Sequence, residues 1–130
     1  MVGQVRITVR VFREGKWWVA DVVGVPGAAT ETGRLSELEL EVRDFLAGFY
    51  DQDDESFDLV WDLSDVVGEE GQGVWEKFVA ERKALEAGRT RFETERLATL
   101  RVLHEAGVSV RDSGALVGVS HQRVSQLLNG

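Results

Sequence analysis

The chain is 130 residues long, and its 43% hydrophobic and 29% charged residues are typical of a globular protein rather than a disordered one. It contains no cysteine, which excludes disulfides and thiolate metal sites, and no apolar run approaches the roughly 18 residues needed to cross a bilayer. The net charge of −8 disfavours a chain that binds nucleic acid over its whole surface. Because the first residues also lack the layout of a secretory signal, we expect a cytoplasmic protein with no membrane partner.

The first third of the chain predicts a β-hairpin. Apolar residues alternate with polar ones, as in a half-buried strand, at Val5, Ile7, Val9 and Val11. Glu14 and Gly15 form the expected turn, and the run from Trp17 to Val23 is the second strand. After the turn residues of segment 24–27, the stretch from Ala28 to Thr32 fits either a short third strand or an extended loop.

A helix with a well-marked start is predicted next. Ser36 and Glu39 have the spacing of a capping box. Leu35 and Leu40 flank the same start with the spacing of a hydrophobic staple. We expect the helix to end near Asp51, where acidic residues collect. Its predicted apolar face comprises Leu38, Val42, Phe45, Leu46 and Phe49.

One more strand completes the first half of the chain. Its apolar face, with a period of two residues, comprises Phe57, Leu59, Trp61 and Leu63. Two strands, a possible third, a helix and a strand indicate an α+β domain, with a small antiparallel or mixed β-sheet and one packed helix. We assign this domain to residues 1–67.

The rest of the chain is predicted to be helical. The glycine-rich segment 68–73 is expected to be a flexible joint at the start of a helical linker, residues 68–89. That linker helix is expected to stop near Gly88, and its apolar residues are Trp75, Phe78, Val79 and Leu85. An all-α segment, residues 90–130, follows. Its first helix stops at Gly107 and carries Phe92, Leu97, Leu100 and Leu103.

Two short helices are predicted to close the chain, over about 110–117 and 120–128. Gly118 supplies the positive φ that a tight turn between them needs, Val119 packs beneath the turn, and Ser120 caps the second helix. The spacing of three apolar residues directs them inward, and these are Val124, Leu127 and Leu128. The side chains left facing outward include no acid and are His121, Gln122, Arg123, Ser125 and Gln126.

The run between Leu116 and Leu128 resembles the helix-turn-helix motif of bacterial regulators. Ser113 and Gly114 depart from it, since the motif usually has an apolar residue followed by alanine there. Residues 1–88 hold nine Lys/Arg and 19 Asp/Glu, a net charge of −10, whereas residues 89–130 hold six and four, a net charge of +2. Only the second part suits operator DNA as a partner. The predicted DNA contacts are Arg111, Ser120, His121, Gln122, Arg123, Ser125 and Gln126.

The first half is similar to the HicB family of type II antitoxins over about residues 3–66. The resemblance lies in the strand 15–22, the Pro-Gly-x-x-Thr segment ending at Thr30, and the helix that follows from Leu35 to Phe49. It implies a reduced ribonuclease H fold without catalytic activity. It also implies that the chain binds and occludes a small mRNA-cleaving, HicA-like toxin and represses its own operon. The spacing after Thr30 and the long helical segment 74–107 depart from the family pattern.

No catalytic site is expected in this sheet. A ribonuclease H type site needs several carboxylates around two metal ions, one of them on the first strand. The polar side of that strand offers only Arg6, Thr8 and Arg10, with no acid from residue 2 to residue 12. Asp58 and Asp62 on the fourth strand lack that partner. We therefore predict no enzyme activity, no metal and no cofactor.

An alternative from a different class of function stays open. In this alternative, the chain is a stand-alone helix-turn-helix transcription regulator whose N-terminal domain dimerises or senses a small ligand. Both functions imply a homodimer or a higher even oligomer, because paired operator half-sites lie about 34 Å apart.

Overall fold

In the computed structural model, residues 5–130 are described, and residues 1–4, with which the predicted first domain begins, lie outside the described range. The chain has an α+β fold with a mixed four-stranded sheet. The elements in chain order are β1 (Val5–Glu14), β2 (Trp17–Val22), β3 (Ala29–Thr32), α1 (Leu38–Tyr50), β4 (Phe57–Asp62), α2 (Ser64–Glu105), α3 (Val110–Val117) and α4 (His121–Asn129). They form two compact units, one up to Lys77 and one from Phe78 onward.

The sheet of the first unit has the strand order β3-β2-β1-β4. Both β1–β2 and β2–β3 are antiparallel, whereas β4 runs parallel to β1. The segment that the sequence left open is a strand, because Ala29–Thr32 pairs with β2 and places Thr32 opposite Trp18. The chain therefore crosses from one edge of the sheet to the other through α1, as a parallel connection requires.

One face of the sheet packs against α1 and forms the core of the first unit. The alternation expected in β1 is observed at Ile7, Val9 and Val11, which are buried, whereas Val5 at the start of the strand is 41% exposed. On α1, Leu38, Val42 and Leu46 are fully buried, in agreement with the predicted apolar face. Phe45 and Phe49, predicted to belong to that face, are 40% and 58% exposed. The buried stripe of α1 is thus narrower than its pattern of apolar residues.

The predicted capping box at the start of α1 is wrong. A 3-10 turn over Leu35–Glu37 precedes the α-helix, and Ser36 lies inside that turn instead of in the extended conformation that an N-cap needs. Arg34 precedes the 3-10 turn and Glu37 precedes α1, and neither side chain caps the helix that follows it. Leu35 and Leu40 are 42% and 68% exposed. The predicted end of α1 is confirmed, because Asp51 adopts a left-handed conformation with φ 53°.

The predicted break at Gly88 is wrong, whereas the predicted joint at residues 68–73 is confirmed as an interruption at its first residue, Gly68, where two helical segments meet across a kink. Helix α2 extends from Ser64 to Glu105, and within this described helix only Gly68 departs from helical geometry, with φ 79° and ψ 174°. A Cβ on Gly71 would lie 2.6 Å from Cβ of Val67, so this glycine accommodates the kink. A single interior glycine costs a helix about 1 kcal/mol, too little to end it at Gly88 among strong helix formers.

Side chains bond the backbone of β4, which is an edge strand. The amide of Gln72 donates to the carbonyl of Trp61 at 3.0 Å and accepts from the N–H of Leu63 at 2.7 Å. Arg43 of α1 donates to the carbonyls of Asp54 and Phe57 at 2.9 and 2.8 Å. These hydrogen bonds connect β4 to both α1 and α2. They also pair backbone N–H and carbonyl groups that would otherwise be unpaired at the edge of a sheet.

The second unit contains the end of α2 with α3 and α4. The predicted end at Gly107 is confirmed, because α2 stops at Glu105 and Gly107 has φ 83°. Helices α3 and α4 pack against each other. Among the described residues of this unit, the fully buried apolar side chains are Leu100 and Val124. No helix within residues 5–130 is both long enough and apolar enough to cross a membrane.

Candidate functional site

A tight turn joins α3 to α4, and Gly118 is its central residue. Gly118 has φ 80°, as the sequence predicted, in the left-handed region that side chains disfavour. Its N–H donates to the carbonyl of Gly114 at 2.8 Å, and the N–H of Val119 donates to the same carbonyl at 3.0 Å. Two hydrogen bonds to one carbonyl close the end of α3 and redirect the chain into α4.

Gly114 lies where the backbone of α3 meets this turn. A Cβ at this position would lie 2.6 Å from the carbonyl oxygen of Val119 and 3.4 Å from the backbone nitrogen of His121. Those atoms belong to the backbone and cannot move as a flexible side chain can. The departure from alanine noted in the sequence therefore has a structural reason, because this crossing leaves no room for a methyl group.

Both short helices begin with a serine cap. Ser120 accepts a hydrogen bond from the N–H of Arg123 at 3.1 Å, as predicted. Ser109 accepts one from the N–H of Asp112 at 3.1 Å, a cap that the sequence reasoning missed. Ser109 and Asp112 have the spacing of a capping box, which would have identified it. Each cap satisfies a backbone donor that the first helical turn leaves free.

Five of the seven predicted contact residues lie on α4, and three of them are exposed. Gln122, Arg123 and Gln126 are exposed, whereas His121 and Ser125 are half-buried. A hydrogen bond of 3.4 Å links Nη1 of Arg123 to Oε1 of Gln126. The opposite side of α4 is buried at Val124 and half-buried at Leu127 and Leu128. The other two predicted residues are exposed at helix starts, Ser120 before α4 and Arg111 in the first turn of α3.

The charge around this face differs from that of the first unit. Residues 78–130 hold eight Lys/Arg and six Asp/Glu, a net charge of +2, and α4 itself contains no acid. Residues 1–77 hold seven Lys/Arg and 17 Asp/Glu, a net charge of −10. Net charge therefore disfavours a polyanion at the first unit but not at the second.

The polar face of the sheet pairs each strand-four carboxylate with an arginine. The parallel register places Arg6 opposite Asp58, with Nε and Oδ2 3.9 Å apart, and Arg10 opposite Asp62. Arg10 also donates to Asp65 at 2.5 Å, and this bond raises the pKa of Arg10. Within residues 5–130, no three His, Cys, Asp or Glu side chains are grouped to hold a metal ion.

Asp62 makes a polar turn at the end of β4. One of its oxygens accepts from the hydroxyl of Ser64 at 2.6 Å and from the N–H of Ser64 at 3.0 Å. These two hydrogen bonds, with a smaller contribution from the charge of Arg10, lower the pKa of Asp62. Asp62 thus acts as a structural acceptor where the chain leaves the sheet for α2.

No protein-family model, curated protein or solved structure matches this chain. Its function is therefore inferred from the geometry and charge of the two units described above.

Proposed function

We propose that this chain is a HicB-type antitoxin with no catalytic activity of its own, which sequesters a small mRNA-cleaving toxin and represses its own operon by binding DNA. The observation that carries the proposal is the exposed face of α4, which contains no acidic residue and which follows the tight turn at Gly118. It supports the DNA-binding half. The acidic sheet domain with its HicB-like sequence order supports the toxin-binding half.

The α3–α4 pair has the features of a helix-turn-helix reader. In such readers the second helix enters the major groove, and its N-terminal residues contact base edges. Gln122 and Gln126 are one turn apart on the exposed side of α4, and glutamine can bond an adenine edge with both of its amide atoms. Arg123 lies between them and suits either guanine or phosphate. Two serine caps position the helix N-termini, where free N–H groups also attract phosphate.

The DNA-binding half is tested by replacing the two glutamines. The double variant Gln122→Ala with Gln126→Ala should lose its preference for DNA upstream of its own reading frame over a scrambled duplex. Each bidentate base contact contributes about 1–3 kcal/mol of discrimination, so the preference should fall at least roughly fivefold. Anisotropy titrations on both duplexes measure this ratio. Gln52→Ala, an exposed glutamine in the first unit, is the matched control. Unchanged discrimination in the double variant would remove the assignment of α4.

The toxin-binding half rests on the first unit. Its polar sheet face places an arginine beside each strand-four carboxylate, an arrangement unsuited to binding two catalytic metal ions. Its net charge of −10 instead suits a basic protein partner, because complementary charge speeds encounter. In the proposal, the toxin is inactivated when this unit covers its active surface, without any chemical step.

Co-expression tests this half. The product of the neighbouring reading frame should arrest growth when expressed alone, and co-expression of this chain should restore growth. The two proteins should also elute as one complex in size-exclusion chromatography. A neighbouring product that is harmless, or that elutes apart from this chain, contradicts the antitoxin proposal.

A groove in the first unit favours the ligand-sensing alternative. It lies between the start of α1 and the end of β4 and is lined by Leu35, Ser36, Glu39, Trp61, Leu63 and Trp75. Apolar walls with a few polar groups are typical of small-molecule sites. Under this alternative, one compound of a small-molecule library raises the melting temperature of this chain in a concentration-dependent way. The product of the neighbouring reading frame leaves that melting temperature unchanged.

A further inference from the structure

Helix α1 exposes a row of aromatic side chains, which we call the aromatic ridge: Phe45, Phe49 and Tyr50. Their exposed fractions are 40%, 58% and 40%. The rings of Phe45 and Phe49 stack with centroids 5.7 Å apart, and Tyr50 meets Phe49 edge-on at 4.9 Å. Tyr50 in turn lies 5.8 Å from the ring of the buried Phe57. The ridge is therefore held in place by its own ring contacts and by an anchor in the core.

Three adjacent exposed aromatic rings are costly on a free surface. Contiguous apolar surface of this kind marks sites where another molecule binds, whereas single exposed apolar residues need no explanation. The buried stripe of α1 already comprises Leu38, Val42 and Leu46, so the core does not require the ridge. Rigid aromatic side chains are also the residues that most often carry the binding energy of an interface.

The surroundings of the ridge are strongly acidic. Residues 37–55, which contain α1 and the following turn, hold eight Asp/Glu and a single basic residue, Arg43. The guanidinium of Arg43 contacts Glu39 at 3.3 Å and donates to the carbonyls of Asp54 and Phe57, so it is already engaged. A partner that covers the rings must therefore present basic residues around an apolar centre.

We propose that the aromatic ridge is the docking site for the small basic toxin of the proposed antitoxin system. The inference rests on the proposed function and assigns the surface by which it is carried out. Phe45 and Phe49 insert into an apolar depression of the toxin. The surrounding carboxylates, among them Glu41 and Asp44, pair with its lysines and arginines at the rim and speed the encounter.

The double variant Phe45→Ser with Phe49→Ser tests the ridge against the product of the neighbouring reading frame. Because both rings are exposed, the variant should fold, and its circular dichroism and operator binding should match those of the wild type. Its Kd for the neighbouring product should rise at least roughly 30-fold, the loss typical of interface hot spots. Leu40→Ser is the matched control, since Leu40 is 68% exposed on another side of α1.

Further outcomes separate this inference from the proposed function. If the wild type binds the neighbouring product and the double variant binds it equally well, the ridge assignment is overturned while the antitoxin proposal stands. If the wild type binds nothing, both fail. If the double variant instead loses self-association in analytical ultracentrifugation, a second copy covers the ridge and the inference is wrong. Should the double variant not fold, Glu41→Lys with Asp44→Lys provides the test, because reversing the rim charge must slow association at least tenfold at low salt.

Discussion

At the scale of single residues, Gly114 is the position where one methyl group has the clearest expected effect. Gly114→Ala gains about 1 kcal/mol of helix propensity but places a Cβ 2.6 Å from the carbonyl oxygen of Val119. Because that oxygen is backbone, α3 must move away from the turn. We expect a net loss of about 1–3 kcal/mol in the free energy of unfolding, measured by urea denaturation.

Gly73→Ala is the control for this prediction. Gly73 lies inside α2, and a Cβ there meets no atom within 4 Å among the described residues. This control should therefore gain up to about 1 kcal/mol from helix propensity alone. A Gly114→Ala protein as stable as the Gly73→Ala protein would show that the helix crossing is looser than the structure indicates.

Asp62 predicts a specific pH dependence of stability. The Ser64 hydroxyl and N–H lower the pKa of Asp62 in the folded state. A carboxyl with a lowered folded pKa contributes stability that is fully present above its unfolded pKa of about 3.9 and is lost as the pH falls through the folded pKa. Asp62→Asn keeps an acceptor for Ser64 but does not titrate. Its free energy of unfolding should vary less steeply with pH below about 4 than that of the wild type, and equal slopes would exclude this role.

At the scale of secondary-structure elements, variants of Ser120, the cap of α4, test stability and the proposed DNA binding separately. Ser120→Ala removes the bond to the N–H of Arg123 and should cost about 0.5–2 kcal/mol in thermal or urea unfolding. Ser120→Asp keeps a capping oxygen and should retain the stability. Its negative charge faces the expected path of the phosphates, so operator affinity should fall in a gel-shift assay. An Asp variant with full affinity would place the DNA elsewhere.

Replacing each of two glycines of α2 by alanine should change the stability of the protein in opposite directions. Gly88 has ordinary helical geometry, and a Cβ there would meet only Nη2 of Arg91 at 3.7 Å among the described atoms, so Gly88→Ala should stabilise the protein by up to about 1 kcal/mol. Gly68 has φ 79°, and Gly68→Ala should cost about 1–3 kcal/mol from backbone strain. Melting temperatures compare the two. A fall for Gly88→Ala would mean that α2 is interrupted in solution.

At the scale of the whole molecule, the two units carry charges of opposite sign. If DNA binds through residues 78–130, the logarithm of its affinity should fall linearly with the logarithm of salt concentration, by about 0.9 for each phosphate neutralised. Arg111→Gln and Arg123→Gln should each reduce that slope by roughly one. Arg34→Gln in the acidic unit is the control and should leave the slope unchanged, as anisotropy titrations over a salt series can show. If only Arg34→Gln changed the slope, DNA would bind the first unit, and the proposed site on residues 78–130 would be wrong.

Much of the local structure was predictable because its causes are local. Alternation with a period of two identified β1 and β4, since it reflects a strand with one buried face. Gly118 and Ser120 identified the α3–α4 turn, because a positive φ and a free N–H each call for a particular residue type. Three of the seven predicted contact residues, Gln122, Arg123 and Gln126, share one exposed face of α4 for the same reason, namely the helical period.

Other features depend on contacts between residues distant in sequence, and no local pattern contains them. Which side of α1 is buried was decided by the sheet beneath it, so Phe45 and Phe49 are exposed although their spacing matched the core. The continuity of α2 through Gly88 was decided by the sum of helix propensities along the element instead of by one weak residue.

The sequence by itself determined most of the kinds of elements, the turn between the last two helices with the Ser120 cap, and the division of charge between the two parts of the chain. Only the tertiary structure decided that β4 pairs in parallel with β1, so that Arg6 faces Asp58 across the sheet. It alone also decided that an aromatic ridge stays outside the core. The reason is physical: residue type and spacing bias the backbone over a few residues, whereas burial and strand pairing depend on how a whole domain fills its interior.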